Sequence, residues 1–153
     1  NYLTIEKTPL NPESISCKYF IAERKKEKTK IDILITSFSG KYPYGSRGKN
    51  HARFIARKTI SSLIEFNPEA IILDFRALEY NWGNTILNVF EYISFLKDSD
   101  NLEEEPSFPV LILVSEKSKN GITSLLTPTN AKGFPNWIFE DINKAIENAI
   151  QRG

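Results

Sequence analysis

AIILDFRALEYNWGNTILNVFEYISFL, residues Ala70–Leu96, is the stretch whose reading decides the fold. A short apolar run, Ala70–Leu73, ends at Asp74, and a polar and aromatic turn follows over Glu79–Asn84. From near Thr85 the apolar residues Ile86, Val89, Phe90, Ile93 and Leu96 recur at helical spacing. A buried strand that feeds a helix through a polar turn is the repeating piece of an α/β sheet. In such sheets, sites are usually built in the loop beyond the strand's C-terminal end.

Working outward, the same grammar repeats. Upstream, Ala52, Ile55, Ala56, Thr59, Ile60, Leu63 and Ile64 mark a helix with Asn50 placed to cap its start and Asn67-Pro68 to stop it. Before it, Cys17–Ala22 and Ile31–Phe38 flank the charged run Glu23–Lys30, which predicts a β-hairpin whose solvated tip protects an edge. Residues 1–16 form a lead-in arm with room for one edge strand. Downstream, the uncharged run Phe108–Val114 has the composition of a strand covered on both faces. A short helix over Asn120–Leu126, a short strand over Asn136–Phe139 and a helix over Ile142–Ile150 complete the order. This predicts a single α/β domain over residues 1–153, with a mixed four- to five-stranded sheet, an N-terminal β-hairpin, β–α repeats and flanking helices.

Composition narrows the function. The chain of 153 residues is 41% hydrophobic and 25% charged, values of a globular domain. That length buries roughly 70% of the unfolded surface. A formal charge of +1 gives no reason to expect a nucleic-acid partner. One cysteine, Cys17, and one histidine, His51, exclude a disulfide framework and argue against a structural zinc site. No apolar run reaches the ~20 residues of a membrane span. The expectation is a cytoplasmic protein with no cofactor, no metal and no membrane partner; its oligomeric state is not set by the sequence.

Three places invite a chemical reading. The loop Gly40–Asn50 precedes a helix N-terminus, and Lys41, Arg47, Lys49, Arg53, Arg57 and Lys58 are basic while no acidic residue occurs from Gly40 to Ile64. A phosphate-binding P-loop fails there, because Pro43 stands at the glycine position and Asn50 at the hydroxyl position. A basic face against an acidic partner is the better reading. His51 sits between Lys49 and Arg53, which would lower its pKa, and no carboxylate adjoins it in sequence; a structural or interface role outweighs a catalytic one. In the turn, Asp74 and Glu79 are a possible carboxylate pair, although Asp74 fits better as a cap accepting backbone hydrogen bonds. Arg76, Glu79, Tyr80, Trp82, Asn84 and Thr85 would serve as binding anchors if exposed. Residues 91–105 are acidic, carrying Glu91, Asp98, Asp100, Glu103, Glu104 and Glu105 against Lys97 alone. One basic and one acidic segment suit the steering of a charged partner.

From Ile31 to the C-terminus the order of elements resembles a STAS domain, the anti-sigma-factor-antagonist fold. AIILDFRALEYNWGNTIL is similar to that family's strand, Asp, turn and helix segment, and PNWIFEDINKAIENAI to its closing strand and helix. The resemblance implies a regulator that binds an anti-sigma-type protein. The family's Asp-Ser-Ser-Gly turn is replaced here by Trp82, Gly83, Asn84 and Thr85, so the phosphorylatable serine is missing and only the Thr85 hydroxyl remains. The β–α–β order is also similar to the core of crotonase-like proteins. Their glycine-rich oxyanion loops have no counterpart, because Leu78–Asn84 and Ser115–Gly121 supply only Gly83 and Gly121. In size and charged faces the chain is similar in type to small bacterial immunity proteins, which neutralise a toxin by binding it. The leading expectation is thus a non-catalytic binder of one protein partner, a toxin. The alternatives are a STAS-like regulator, or a small enzyme or anion binder using Gly40–Asn50.

Overall fold

The computed structural model describes residues 2–9, 11–26, 28–43, 49–80, 87–102, 104–126 and 137–152. Two long strands, β1 (Ile15–Lys26) and β2 (Thr29–Lys41), form an antiparallel hairpin. Helix α1 (Lys49–Phe66), β3 (Ala70–Glu79), α2 (Leu87–Asp98), β4 (Val110–Leu113), α3 (Lys119–Leu126), β5 (Ile138–Phe139) and α4 (Ile142–Arg152) follow. The sheet has the order β1-β2-β3-β4-β5, and every pairing after the hairpin is parallel. Parallel neighbours need a crossover between them, which α1, α2 and α3 supply. The architecture is a mixed α/β fold with a five-stranded sheet and four helices.

Both faces of the sheet are covered, which is why β3 opens as an unbroken apolar run. Ile71, Leu73 and Phe75 face Ile55 and Leu63 of α1 and Val89 and Ile93 of α2. Ala70 and Ile72 face the other way, against Ala145 and Ala149 of α4. Those two alanines are one helical turn apart and fully buried, so α4 packs closely on the sheet.

The ends of the elements follow local chemistry. Asp141 caps α4, its Oδ1 accepting from the N–H of Asn143 at 2.8 Å and of Lys144 at 3.3 Å. Asn67 closes α1 in the left-handed conformation, φ 42°, and its N–H reaches the Leu63 carbonyl at 3.1 Å.

Several boundaries differ from the sequence reading. Asn50 lies inside the first turn of α1 rather than before it. The charged run is mostly strand, since β1 extends to Lys26 and β2 resumes at Thr29; Lys30 and Glu23 pair across it at 2.9 Å. No strand occurs among residues 2–9 and 11–14 of the arm. β4 starts at Val110 because Pro109 has no N–H to give a ladder, although its carbonyl accepts from Ile71 at 3.1 Å. The largest difference is β3, which runs to Glu79 instead of stopping near Asp74. The charged letters after Leu73 end the apolar run but not the strand.

A bulge explains how β3 continues. Ser37 pairs with Asp74 and Ser39 with Ala77, so two steps on β2 oppose three on β3. The extra residue shifts the alternation, and Leu78 and Tyr80 rejoin the face already occupied by Ile71, Leu73 and Phe75.

Candidate functional site

The C-terminal edge of the parallel strands brings together the ends of β2 and β3 and the start of α1. Tyr42 donates its backbone N–H to Glu79 at 2.9 Å, and Tyr80 donates its own to Lys117 at 3.1 Å. Both tyrosines are buried, with ring centroids 4.7 Å apart in an edge-on contact. Tyr80 is therefore a correction: its ring packs beneath the strand end, and burial raises its pKa. It is a packing residue of the strand end and not a surface contact.

His51 stacks edge-on to Tyr42, with centroids 5.9 Å apart. The Ser14 hydroxyl donates to the Lys41 carbonyl at 3.1 Å, so it must accept from His51 Nε2, 2.6 Å away. With the hydroxyl donating to Lys41, the hydrogen of this contact lies on Nε2. Nδ1 is buried and has no hydrogen-bond partner among the described residues. Burial lowers the His51 pKa, in the direction expected from Lys49 and Arg53 but for a different reason. The nitrogen facing Ser14 carries a hydrogen, so it does not act as a base toward that hydroxyl.

Asp74 lies within the strand, not at its end. Its Oδ2 accepts from the Ser37 hydroxyl at 2.8 Å and from Arg76 at 3.0 Å. Its Oδ1 accepts the Arg76 N–H at 3.1 Å and Arg76 Nε at 3.0 Å. The Ser115 hydroxyl in turn donates to the Arg76 carbonyl at 2.5 Å. Burial alone would raise the Asp74 pKa; the Arg76 side chain, its N–H and Ser37 together outweigh this and hold it below the ordinary value. With both oxygens engaged, Asp74 ties β2 to β3, and Ser115 joins the segment after β4 to Arg76; Asp74 forms no acid–base pair with the exposed Glu79.

Because the folded pKa is lowered, the stabilisation is present above the unfolded value near 3.9 and disappears as pH falls through the folded one. Arg76 is partly exposed, which screens the pair. Asp74→Asn is expected to cost about 2 kcal/mol at neutral pH. In urea titrations the gap to wild type should close below about pH 4; a gap independent of pH would remove the carboxylate's charge from the explanation.

The remaining candidates are scattered. Arg76 is committed to Asp74, Glu79 is exposed at the end of β3, and Lys49 begins α1. Trp82, Asn84, Thr85 and Arg47 lie outside the described residues. Arg53 is exposed on α1 and lines a shallow cleft of about 480 Å³ with Arg57, Ile60 and Tyr92. Lys58 and Arg57 lie over the Phe54 ring at 5.6 and 6.0 Å, and Arg57 also donates to Asn11 at 2.9 Å. Arg53 and Arg57 also line a small cleft with Asn50, Thr8 and Pro9. Cys17 is half-buried, and burial pushes its pKa up to about 11, so it is an unreactive thiol packed on the core. Among the described residues no cluster of His, Cys, Asp or Glu is arranged to hold a metal ion, and no helix is long and apolar enough to cross a membrane.

The sequence reading missed Tyr42, Ser37 and Ser115. Ser37 was discoverable, since it stands opposite Asp74 once β2 and β3 are set in register. It also missed an apolar cleft of about 640 Å³ between α2, the approach to β4 and Trp137, assembled from segments far apart in the chain.

No protein-family model matches the sequence, and no curated protein is similar to it. Among solved structures, that of an anti-sigma factor antagonist from Mycobacterium paratuberculosis has a similar fold. The match covers 92% of this chain and 99% of that one, with a TM-score of 0.51 and 13% sequence identity. The STAS-like order of elements expected from the sequence is thus the order of the fold.

Proposed function

We propose that the chain is a non-catalytic protein-binding module of the anti-sigma-factor-antagonist type. It engages one regulatory protein through the end of β3, the turn after it and the adjoining start of α1. The observation that carries this reading is the fold likeness over nearly the whole of both chains. The local chemistry agrees with it: Asp74 and Arg76 saturate each other, and His51 presents a hydrogen to Ser14. Glu79 at the end of β3 and Arg53 on α1 are exposed to meet a partner, and Trp82, Asn84, Thr85, Arg47 and Lys49 are the further contacts proposed from the sequence. The expected toxin partner has no observation of its own behind it, so the regulatory partner becomes the main reading.

Purification from the native host tests this. One stoichiometric protein of the anti-sigma type should accompany the chain, associating more slowly as salt is raised. Trp82→Ala should weaken that complex by about 2 kcal/mol while leaving stability near wild type. A co-purifying nucleotide with no protein would overturn the reading, and a toxin as the partner would restore the immunity version.

A further inference from the structure

We infer that the apolar cleft between α2 and the approach to β4 binds a free, single-chain carboxylate of the fatty-acid type, with its chain laid along α2 and its carboxylate at Arg152. The inference does not depend on the partner proposed above, because none of the residues assigned to that partner lines the cleft.

The cleft holds about 640 Å³, the size of a small-molecule site. Leu87, Phe90, Ser94 and Asp98 recur along α2 at three- and four-residue spacings. They form one wall that runs the length of the helix, about 16 Å. Phe108, Val110 and Trp137 supply the rest of the apolar lining. Phe90, Phe108, Val110 and Trp137 each pack on the core and are still left half-buried. Apolar surface that extends over three turns of a helix suits an extended acyl chain, whose burial gains with every methylene placed there.

The polar groups of the cleft gather at one end. Helix α2 leads from the end of β3 back to the start of β4, so Asp98 lies at the edge where the parallel strands begin. Ser107 precedes β4 at that edge. Arg152, the last residue of α4, lines the cleft although α4 packs on the opposite face of the sheet. Asp98 is the only carboxylate lining the cleft among the described residues, and its Oδ1 is already engaged. It accepts from the Phe108 N–H at 2.8 Å and from Asn101 Nδ2 at 3.1 Å, which closes the end of α2 onto the approach to β4. Asp100, Glu104 and Glu105 are exposed in the next loop and do not line the cleft. Arg152 is exposed and makes no ion pair among the described residues. Lys97 adds a second cation close by, with Nζ 4.9 Å from the centre of the Phe108 ring. Two cations beside one engaged carboxylate select an anionic head group. The planar guanidinium of Arg152 matches a carboxylate through two parallel hydrogen bonds.

Calorimetric titration of the full chain with dodecanoate, kept below its micellar concentration, tests the inference. One equivalent should bind, and dodecanol and dodecylammonium should each bind at least tenfold more weakly. Arg152→Gln should weaken dodecanoate at least tenfold and leave dodecanol unchanged, because only the head-group contact is lost. Ser94→Trp, at an exposed position on the α2 wall, should fill the cleft and abolish dodecanoate binding with an unchanged melting temperature. Dodecylammonium bound as tightly as dodecanoate would overturn the inference by moving the charged contact to Asp98. So would uptake of many equivalents, an affinity unchanged in Arg152→Gln or Ser94→Trp, or no binding of dodecanoate at all.

Discussion

Phe38→Ala is expected to remove about 3–5 kcal/mol of stability, a large share of what a domain of this size possesses. Phe38 is completely buried on β2, stacked on Phe75 of β3 at 5.9 Å between ring centroids and edge-on to Phe54 of α1 at 6.5 Å. It stands at the bulge, between Ser37 and Ser39, where β3 gains its extra residue. Truncation removes the transfer free energy of the ring and leaves a cavity between three elements that cannot all close on it. In urea the midpoint should fall sharply while the slope stays unchanged. A loss near 1 kcal/mol would mean that the strands re-register and that the bulge is not fixed by this packing.

The bulge also marks the limit of what could be read from the chain. The apolar runs at Ala70–Leu73 and Phe108–Val114, and the helical spacing from Ala52 to Leu63 and from Val89 to Ile93, depend only on neighbours along the sequence. They placed every strand and helix in order. The polar half of β3 does not work that way. Asp74, Arg76 and Glu79 look like a turn when the chain is read as a run of letters. They are a strand because Ser37, Ser39 and Lys41 of β2 supply the ladder and because Arg76 neutralises Asp74 on the same strand. A shift in side-chain alternation has no local signature, since it is set by pairing with another strand. Tyr80 illustrates the consequence: its neighbours in sequence suggest an exposed anchor, whereas the shifted alternation turns it inward onto Tyr42.

The candidate site was legible to the same degree. The strand end was found from the general tendency of α/β sheets to place sites there. Its chemistry was not, because the partners that decide it are distant in sequence. Ser14 is 37 residues from His51, and Ser37 is 37 residues from Asp74. These contacts turn two potentially reactive side chains into structural ones.

Gly40→Ala should be the most damaging small substitution at this edge, costing about 3 kcal/mol where a glycine in an unstrained position would gain a few tenths from the same change. Gly40 has φ +119°, a conformation side chains rarely adopt, and an added Cβ would sit 1.9 Å from the Ser14 carbonyl oxygen. The obstruction is backbone, held in place by the Lys41 N–H at 2.9 Å, so it cannot swing aside as a side-chain tip would. Relief requires either the end of β2 to turn or Ser14 to leave. Both routes break the contact through which Ser14 accepts from His51. The substitution therefore has two independent readouts. Urea unfolding should show the loss of stability, and the His51 titration should move up from its lowered value toward the ordinary one near 6.5 as the imidazole becomes hydrated. If stability falls while the titration stays in place, the strain is confined to Gly40 itself. If neither changes, Ser14 does not lie against Gly40, and the arm does not fasten His51 in the way described.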